Sequence, residues 1–187
     1  MALTTLDPKT ALIVIDIQKG VVQLPCAHPM AGVIDRVVEI TQAFRKHEAP
    51  VVLVNVTGGA PGRIEQTRRM GERPADWAEL VPQLDAQAGD HLVTKRTWGA
   101  FAHTDLHEHL QKLGVTQVVI VGVATSIGVE STARQAYELG YNVTLAIDAM
   151  TDMNADAHEN SVTRIFPRLG ETGSTAEVID LLARSRG

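Results

Sequence analysis

The run Ala11-Leu12-Ile13-Val14-Ile15 has no polar side chain at any of five successive positions, and it ends abruptly in Asp16. A strand that alternates apolar and polar residues can leave one face to water; a strand apolar at every position must be covered on both. Val51 to Val56 and Gln117 to Val121 repeat the pattern, His91 to Thr94 is a shorter version ending at Lys95, and Asn142 to Asp148 is a fifth. Helical spacing fills the intervals. Val33, Val37, Ile40 and Phe44 form one face of a helix over about 31 to 48, stopped by Pro50. Leu106, Leu110 and Leu113 mark a second, closed by Gly114, and a third runs from about 127 to 139 and stops at Gly140. A further helix is predicted to end before Pro167, and Ser174 with Glu177 forms a capping box that opens the last one. Strands alternating with helices predict an α/β fold, doubly wound, with a mainly parallel sheet covered on both faces and right-handed crossovers.

The 187 residues suit a single domain over 1–187. The segment 57–89 breaks the rhythm with Gly58, Gly59, Pro61, Gly62, Gly71, Pro74 and Pro82, which predicts a long loop that acts as a lid, an oligomer contact or a mobile connection. Seventeen basic against 22 acidic residues give a net charge of -5, and only 4% of residues are aromatic. That charge repels phosphate backbones and so few rings offer no stacking platform, so nucleic acid is not an expected partner. No apolar run approaches the roughly 18 residues of a membrane span, and Met1 to Thr10 does not read as a signal peptide. Cys26 is the only cysteine, which excludes an internal disulfide. A cytoplasmic protein with no membrane partner is the expectation.

Ligands of open parallel sheets bind beyond the carboxyl ends of the strands. Asp16 ends the first strand, Lys95 ends the third, and the fourth runs through Gly122 to Gly128 into a helix. A carboxylate, an ammonium group and a helix start at one edge can move a proton, hold an anion and present N–H donors. Each alone has a plainer reading, since acidic residues at strand ends often cap turns.

Three segments carry a family resemblance: Leu12-Ile13-Val14-Ile15-Asp16-Ile17-Gln18, then Lys95-Arg96-Thr97-Trp98-Gly99-Ala100-Phe101, then Gly122-Val123-Ala124-Thr125-Ser126-Ile127-Gly128-Val129-Glu130-Ser131-Thr132-Ala133. In order and spacing they resemble the isochorismatase-like, or cysteine hydrolase, superfamily. The resemblance implies six strands in a Rossmann-like three-layer arrangement, a small-molecule substrate, no cofactor, a homodimer or homotetramer, and a cis peptide at Val123-Ala124. It also implies a triad of Asp, Lys and Cys, of which Asp16 and Lys95 are present. The Cys position holds Gly128. A thioester mechanism has no nucleophile there, and Cys26 lies in the Pro25 to Pro29 loop, where hydrolysis by its thiol requires that it reach the pocket.

The isochorismatase branch resembles this pattern, with Gly in place of Cys and cleavage of a vinyl ether. By that resemblance Asp16 is the general acid, Lys95 orients substrate, and N–H groups near Ala124 and Gly128 bind an oxygen; Gln18, Thr125, Trp98 and Phe101 complete the substrate-binding set. Trp98 and Phe101 are pocket walls or core residues, and Trp77 and Phe166 are further rings available to a pocket. Lys19 stands where that branch has a neutral residue. The alternative is an inert ligand-binding or scaffold protein that lost its nucleophile. No metal is expected: His103, His107 and His109 lack a convergent third ligand and suit a solvated helix surface better than zinc. Arg63, Arg68, Arg69 and Arg73, interspersed with Glu65 and Glu72, suit either a carboxylated substrate or a paired surface. Gly58-Gly59-Ala60-Pro61-Gly62 lacks the residues of a phosphate loop.

Overall fold

A computed structural model describes residues 3–65 and 73–185. In chain order the elements are β1 (Thr10–Ile15), α1 (Lys19–Val22), α2 (Met30–Lys46), β2 (Val51–Val56), β3 (His91–Lys95), α3 (Leu106–Lys112), β4 (Gln117–Val123), α4 (Glu130–Glu138), β5 (Asn142–Thr151), α5 (Ala155–Asn160), α6 (Phe166–Leu169), β6 (Glu171–Gly173) and α7 (Thr175–Ser185). The six strands form one sheet in the order β3-β2-β1-β4-β5-β6, and every pairing is parallel. The chain winds outward from β1 to β3, returns to place β4 beside β1, and winds outward again. The reversal therefore lies at β1, whose carboxyl end is Asp16.

The continuous apolar runs are explained by two cores. Leu12 and Val14 of β1 face one cluster with Val37, Ile40 and Phe44 of α2 and Val178 and Leu182 of α7. Ala11, Ile13 and Ile15 face the other, with Leu106 and Leu110 of α3, Ala133 and Ala136 of α4, and Phe166. Side chains alternate across the strand while each helix contributes one stripe, so a sheet buried on both sides needs apolar residues everywhere. The capping box at α7 forms as read: Ser174 N–H donates to Glu177 Oε2 at 2.7 Å, and Glu177 N–H returns to Ser174 Oγ at 3.3 Å.

Several boundaries differ from the sequence expectation. Strands β4 and β5 run on to Val123 and Thr151, past Val121 and Asp148. The register between them shifts at Ile120/Gly122, and this lets both strands continue. At Gly122, φ is +118°, and a Cβ there would collide with the Ile15 carbonyl; β4 passes β1 too closely for a side chain. The helix expected from 127 begins instead as a π-helical turn, Thr125–Val129, before α4. A second such turn, Ser161–Ile165, follows α5, and the chain does not stop before Pro167. Pro167 sits in the first turn of α6, where no backbone N–H is needed, so proline is tolerated there. Among the described residues no helix is long and apolar enough to cross a membrane.

Candidate active site

Asp16 continues the ladder beyond β1, its N–H donating to Val54 carbonyl at 2.9 Å, and then turns with φ at +52°. This left-handed conformation suits Asp and Asn better than other side chains. The turn holds the carboxylate at the sheet edge. Two strands away, Lys95 ends β3 and reaches across the end of β2: its Nζ donates to Asp16 Oδ2 at 2.7 Å and to Thr97 carbonyl at 3.2 Å. Both groups are buried, Asp16 5% and Lys95 2% exposed.

Burial and the ion pair push Asp16 in opposite directions. Removing a carboxylate from water disfavours its charged form, and a neighbouring ammonium favours it. Burial wins. The Asp16 pKa is raised from 3.8 to about 6, with Lys95 only partly offsetting the loss of solvent. One reason lies in the second oxygen: Oδ1 is enclosed and has no hydrogen-bond partner among the described residues, so half the carboxylate has nothing to replace water. An acid that titrates near 6 holds or releases a proton close to neutral pH, as proton transfer requires.

The pair forms the floor of a cavity of about 570 Å³. Gly128 and Ala124 also border it, from the turn after β4, and the peptide joining Val123 to Ala124 is cis. The walls are apolar: Trp77, Trp98, Val21, Leu24, Ile127 and Met153. Arg73 stands at the rim, its guanidinium 4.0 Å from the centre of the Trp77 ring and donating to Thr57 carbonyl. A second cavity, of about 420 Å³, opens at the opposite end of the sheet near Asp7, Tyr137 and Glu171. Its carboxylates are spent on local structure, Asp7 on Thr116 and Asn142 and Glu171 on Thr4, so the reactive groups belong to the first.

Of the residues expected at the site, Asp16, Lys95, Trp98, Ala124 and Gly128 meet there; Gln18, Thr125 and Phe101 do not. Gln18 is fully buried, and its amide serves the backbone: Oε1 accepts from Val56 N–H at 2.7 Å, and Nε2 donates to the carbonyls of Val56 and Trp77. It fastens the 57–89 connection to the sheet edge. Thr125 is turned inward, its hydroxyl 2.8 Å from His158 Nδ1. Phe101 lies on the second core, its ring 5.9 Å from that of Tyr141, and Phe166 is buried in the same core. Trp77, by contrast, belongs to the cavity. Its ring lies directly on Gly20, and the chain around it is held by Lys19, whose Nζ contacts Asp76 at 3.0 Å and Glu79 at 2.7 Å. The unexpected Lys19 thus secures a cavity wall.

Cys26 does not border the cavity, and burial together with the nearby Asp152 pushes its thiol pKa up, away from the thiolate. The histidines do not converge: His107 Nδ1 lies 2.9 Å from Tyr141 hydroxyl, while His109 stacks on His91 at 3.7 Å. Among the described residues no cluster of three or more His, Cys, Asp or Glu could hold a metal. Arg63 is exposed, and Arg68 and Arg69 lie outside the described residues.

One residue escaped the sequence reading. Asp152, 2% exposed, follows β5 and accepts from Ser126 N–H and hydroxyl, both at 2.8 Å, and from Asn154 N–H at 3.0 Å. Its own carbonyl accepts from Ala27 N–H at 2.8 Å. It ties together the segments that bring Leu24, Ile127 and Met153 to the cavity. Only the Ser at a helix start, in want of an acceptor, hinted at it.

Residues 10–177 match the model of the isochorismatase domain. The chain is 42% identical over 179 residues to the isochorismatase family protein YwoC of Bacillus subtilis, covering 92% of this chain and 93% of that one. It is 37% identical over 183 residues to the isochorismatase family protein YecD of Escherichia coli O157:H7, covering 92% and 96%. The solved structure of an isochorismatase family protein from Burkholderia thailandensis superposes with a TM-score of 0.91 at 37% identity, covering 96% of this chain and 98% of that one. The parallel sheet, its strand-end residues and these matches agree, and the chain belongs to the isochorismatase family.

Proposed function

We propose that this protein hydrolyses a small molecule without a covalent nucleophile, with Asp16 as the group that moves the proton, and that its reaction is cleavage of a vinyl ether of the isochorismate type. The observation that carries the reading is a buried carboxyl with a pKa raised to about 6, set on the floor of a cavity where the neighbouring helix start offers glycine. Such a group can be protonated before the reaction and ionised after it. Lys95 stabilises the ionised form, so the proton leaves without stranding a bare buried anion. The indole walls of Trp77 and Trp98 offer apolar faces against which the ring of such a substrate can pack.

For a vinyl ether the steps balance without any other group. The Asp16 carboxyl gives its proton to the terminal alkene carbon, leaving an oxygen-stabilised cation. Water adds to that cation and loses a proton to the Asp16 carboxylate. In the resulting hemiketal Asp16 protonates the leaving oxygen and takes the hydroxyl proton in return, so that the C–O bond breaks to give a ketone and an alcohol.

The enclosed Oδ1, and an Oδ2 already held by Lys95, favour a second reading, a fold that binds ligand without turning it over. A panel of vinyl ethers, amides and lactams, run on the wild type and on Asp16→Asn, separates the two. Proton transfer by Asp16 predicts turnover of a vinyl ether and a loss of at least about 100-fold in the variant. Turnover undiminished in Asp16→Asn, or none by the wild type, refutes the proposal.

A further inference from the structure

Whichever bond is cleaved, hydrolysis needs a water at a defined place, and the floor of the cavity limits where it can stand. Asp16 Oδ1 is enclosed, which leaves Oδ2 as the oxygen that can meet a molecule in the cavity. Lys95 Nζ occupies one side of Oδ2 at 2.7 Å. A carboxylate oxygen accepts in two directions, so one donor more can approach it.

Gly128 borders that approach. A Cβ placed on it would stand 3.3 Å from Asp16 Oδ2, 3.4 Å from the Val123 carbonyl oxygen and 2.9 Å from Ile15 Cγ2. The backbone does not call for glycine here. Gly128 lies inside a helical turn without a positive φ, where glycine is less favourable than alanine by about 1 kcal/mol. The contacts a methyl would make are with the Ile15 methyl, which would have to shift, and with Asp16 Oδ2 and the Val123 carbonyl oxygen, which it would crowd. What a side chain at 128 would crowd is the open side of Oδ2.

We infer that Gly128 is a positioning residue that seats the hydrolytic water, an inference that rests on Asp16 being the proton-moving group. Once Asp16 has given up its proton, a water over the Cα of Gly128 has two acceptors at hand, Oδ2 and the Val123 carbonyl, for its two protons. Its oxygen lone pair then faces the cavity. When that oxygen bonds to the substrate carbon, one of its protons passes to the ionised Asp16 carboxylate, which regains the proton it gave up. The missing side chain at 128 is thereby replaced by the nucleophile itself.

Two measurements test this. The first is a crystal structure of the ligand-free wild type at about 1.2 Å or better, which needs no substrate. It should show an ordered water over Cα of Gly128 within about 3.2 Å of Asp16 Oδ2; an Oδ2 with no water there overturns the proposal. The second is Gly128→Ala, with folding checked by thermal unfolding and by the same crystallography, which should show the water gone. On a substrate that Asp16→Asn fails to turn over, Gly128→Ala should lose at least about 100-fold in kcat with KM within about threefold. Wild-type kcat in Gly128→Ala beside an inactive Asp16→Asn overturns the water seat and leaves the hydrolase reading standing. An active Asp16→Asn removes that reading and the water seat with it.

Discussion

The buried pair of Asp16 and Lys95 makes a prediction whose sign is the reverse of an ordinary salt bridge. A carboxylate stabilised by its partner has a lowered pKa and adds stability as pH rises. Asp16 is raised from 3.8 to about 6 because burial outweighs Lys95. The folded protein therefore holds this proton more tightly than the unfolded chain between those values, and stability from this group is full below about pH 3.8 and lost as pH climbs through about 6. The rise is worth about 3 kcal/mol at 1.36 kcal/mol per unit. Asp16→Asn keeps the shape and an acceptor for Lys95 but cannot titrate. Its offset from wild type includes the cost of leaving Lys95 without a countercharge. The part of the difference that changes between pH 3.8 and about 6 reports Asp16. Urea unfolding of both proteins from about pH 3.5 to about pH 7.5 should show wild type losing about 3 kcal/mol relative to the variant, with the change centred between 3.8 and about 6. A difference that stays flat, or that favours wild type as pH rises, refutes the reasoning, and the second outcome makes the pair a stabilising salt bridge.

Two further outcomes follow from the walls. Asp152→Ala removes a carboxylate that accepts three hydrogen bonds and leaves the Ser126 N–H without an acceptor, so urea unfolding at neutral pH should show a loss of about 2 to 3 kcal/mol; a change below about 0.5 kcal/mol denies Asp152 its role. Gly20→Ala places a methyl inside the Trp77 ring, which must leave its seat. Chymotrypsin should then cut after Trp77 several-fold faster than in wild type, and an unchanged rate would show that Gly20 does not hold that segment.

How much of this was legible depended on how local the signal was. The five long strands and the meeting of Asp16 with Lys95 follow from buried β-branched runs, whose ends must lie at one edge of a parallel sheet. Strand β6 is three residues, Glu171-Thr172-Gly173, too short for any period to show. Gln18 and Phe101 pack away from the cavity for a shared reason: proximity in sequence to Asp16 and Lys95 does not fix which way a side chain turns. Gln18 follows β1 at a point where the backbone of β2 and of the 57–89 connection both need partners, and its amide supplied them. Phe101 lies beyond the turn after β3, where the nearest apolar surface is the far core. The π-helical turn at 125–129 has no composition of its own, because it is set by where the strand delivers the chain and by Asp152, 26 residues away. Gly128 was visible as an exception to a pattern, but what its missing Cβ leaves accessible is a property of three segments packed together.

The chain holds two tryptophans, Trp77 and Trp98, and both border the same cavity. Nearly all the light this protein emits when excited in the indole band thus originates at its candidate active site. A compound entering the cavity stacks against, or displaces water from, both emitters, so its arrival registers as a change in emission intensity or wavelength without a dye, a label or any turnover. The molecule carries its own optical reporter, and collections of unmodified small molecules can be sorted by it before any reaction is known.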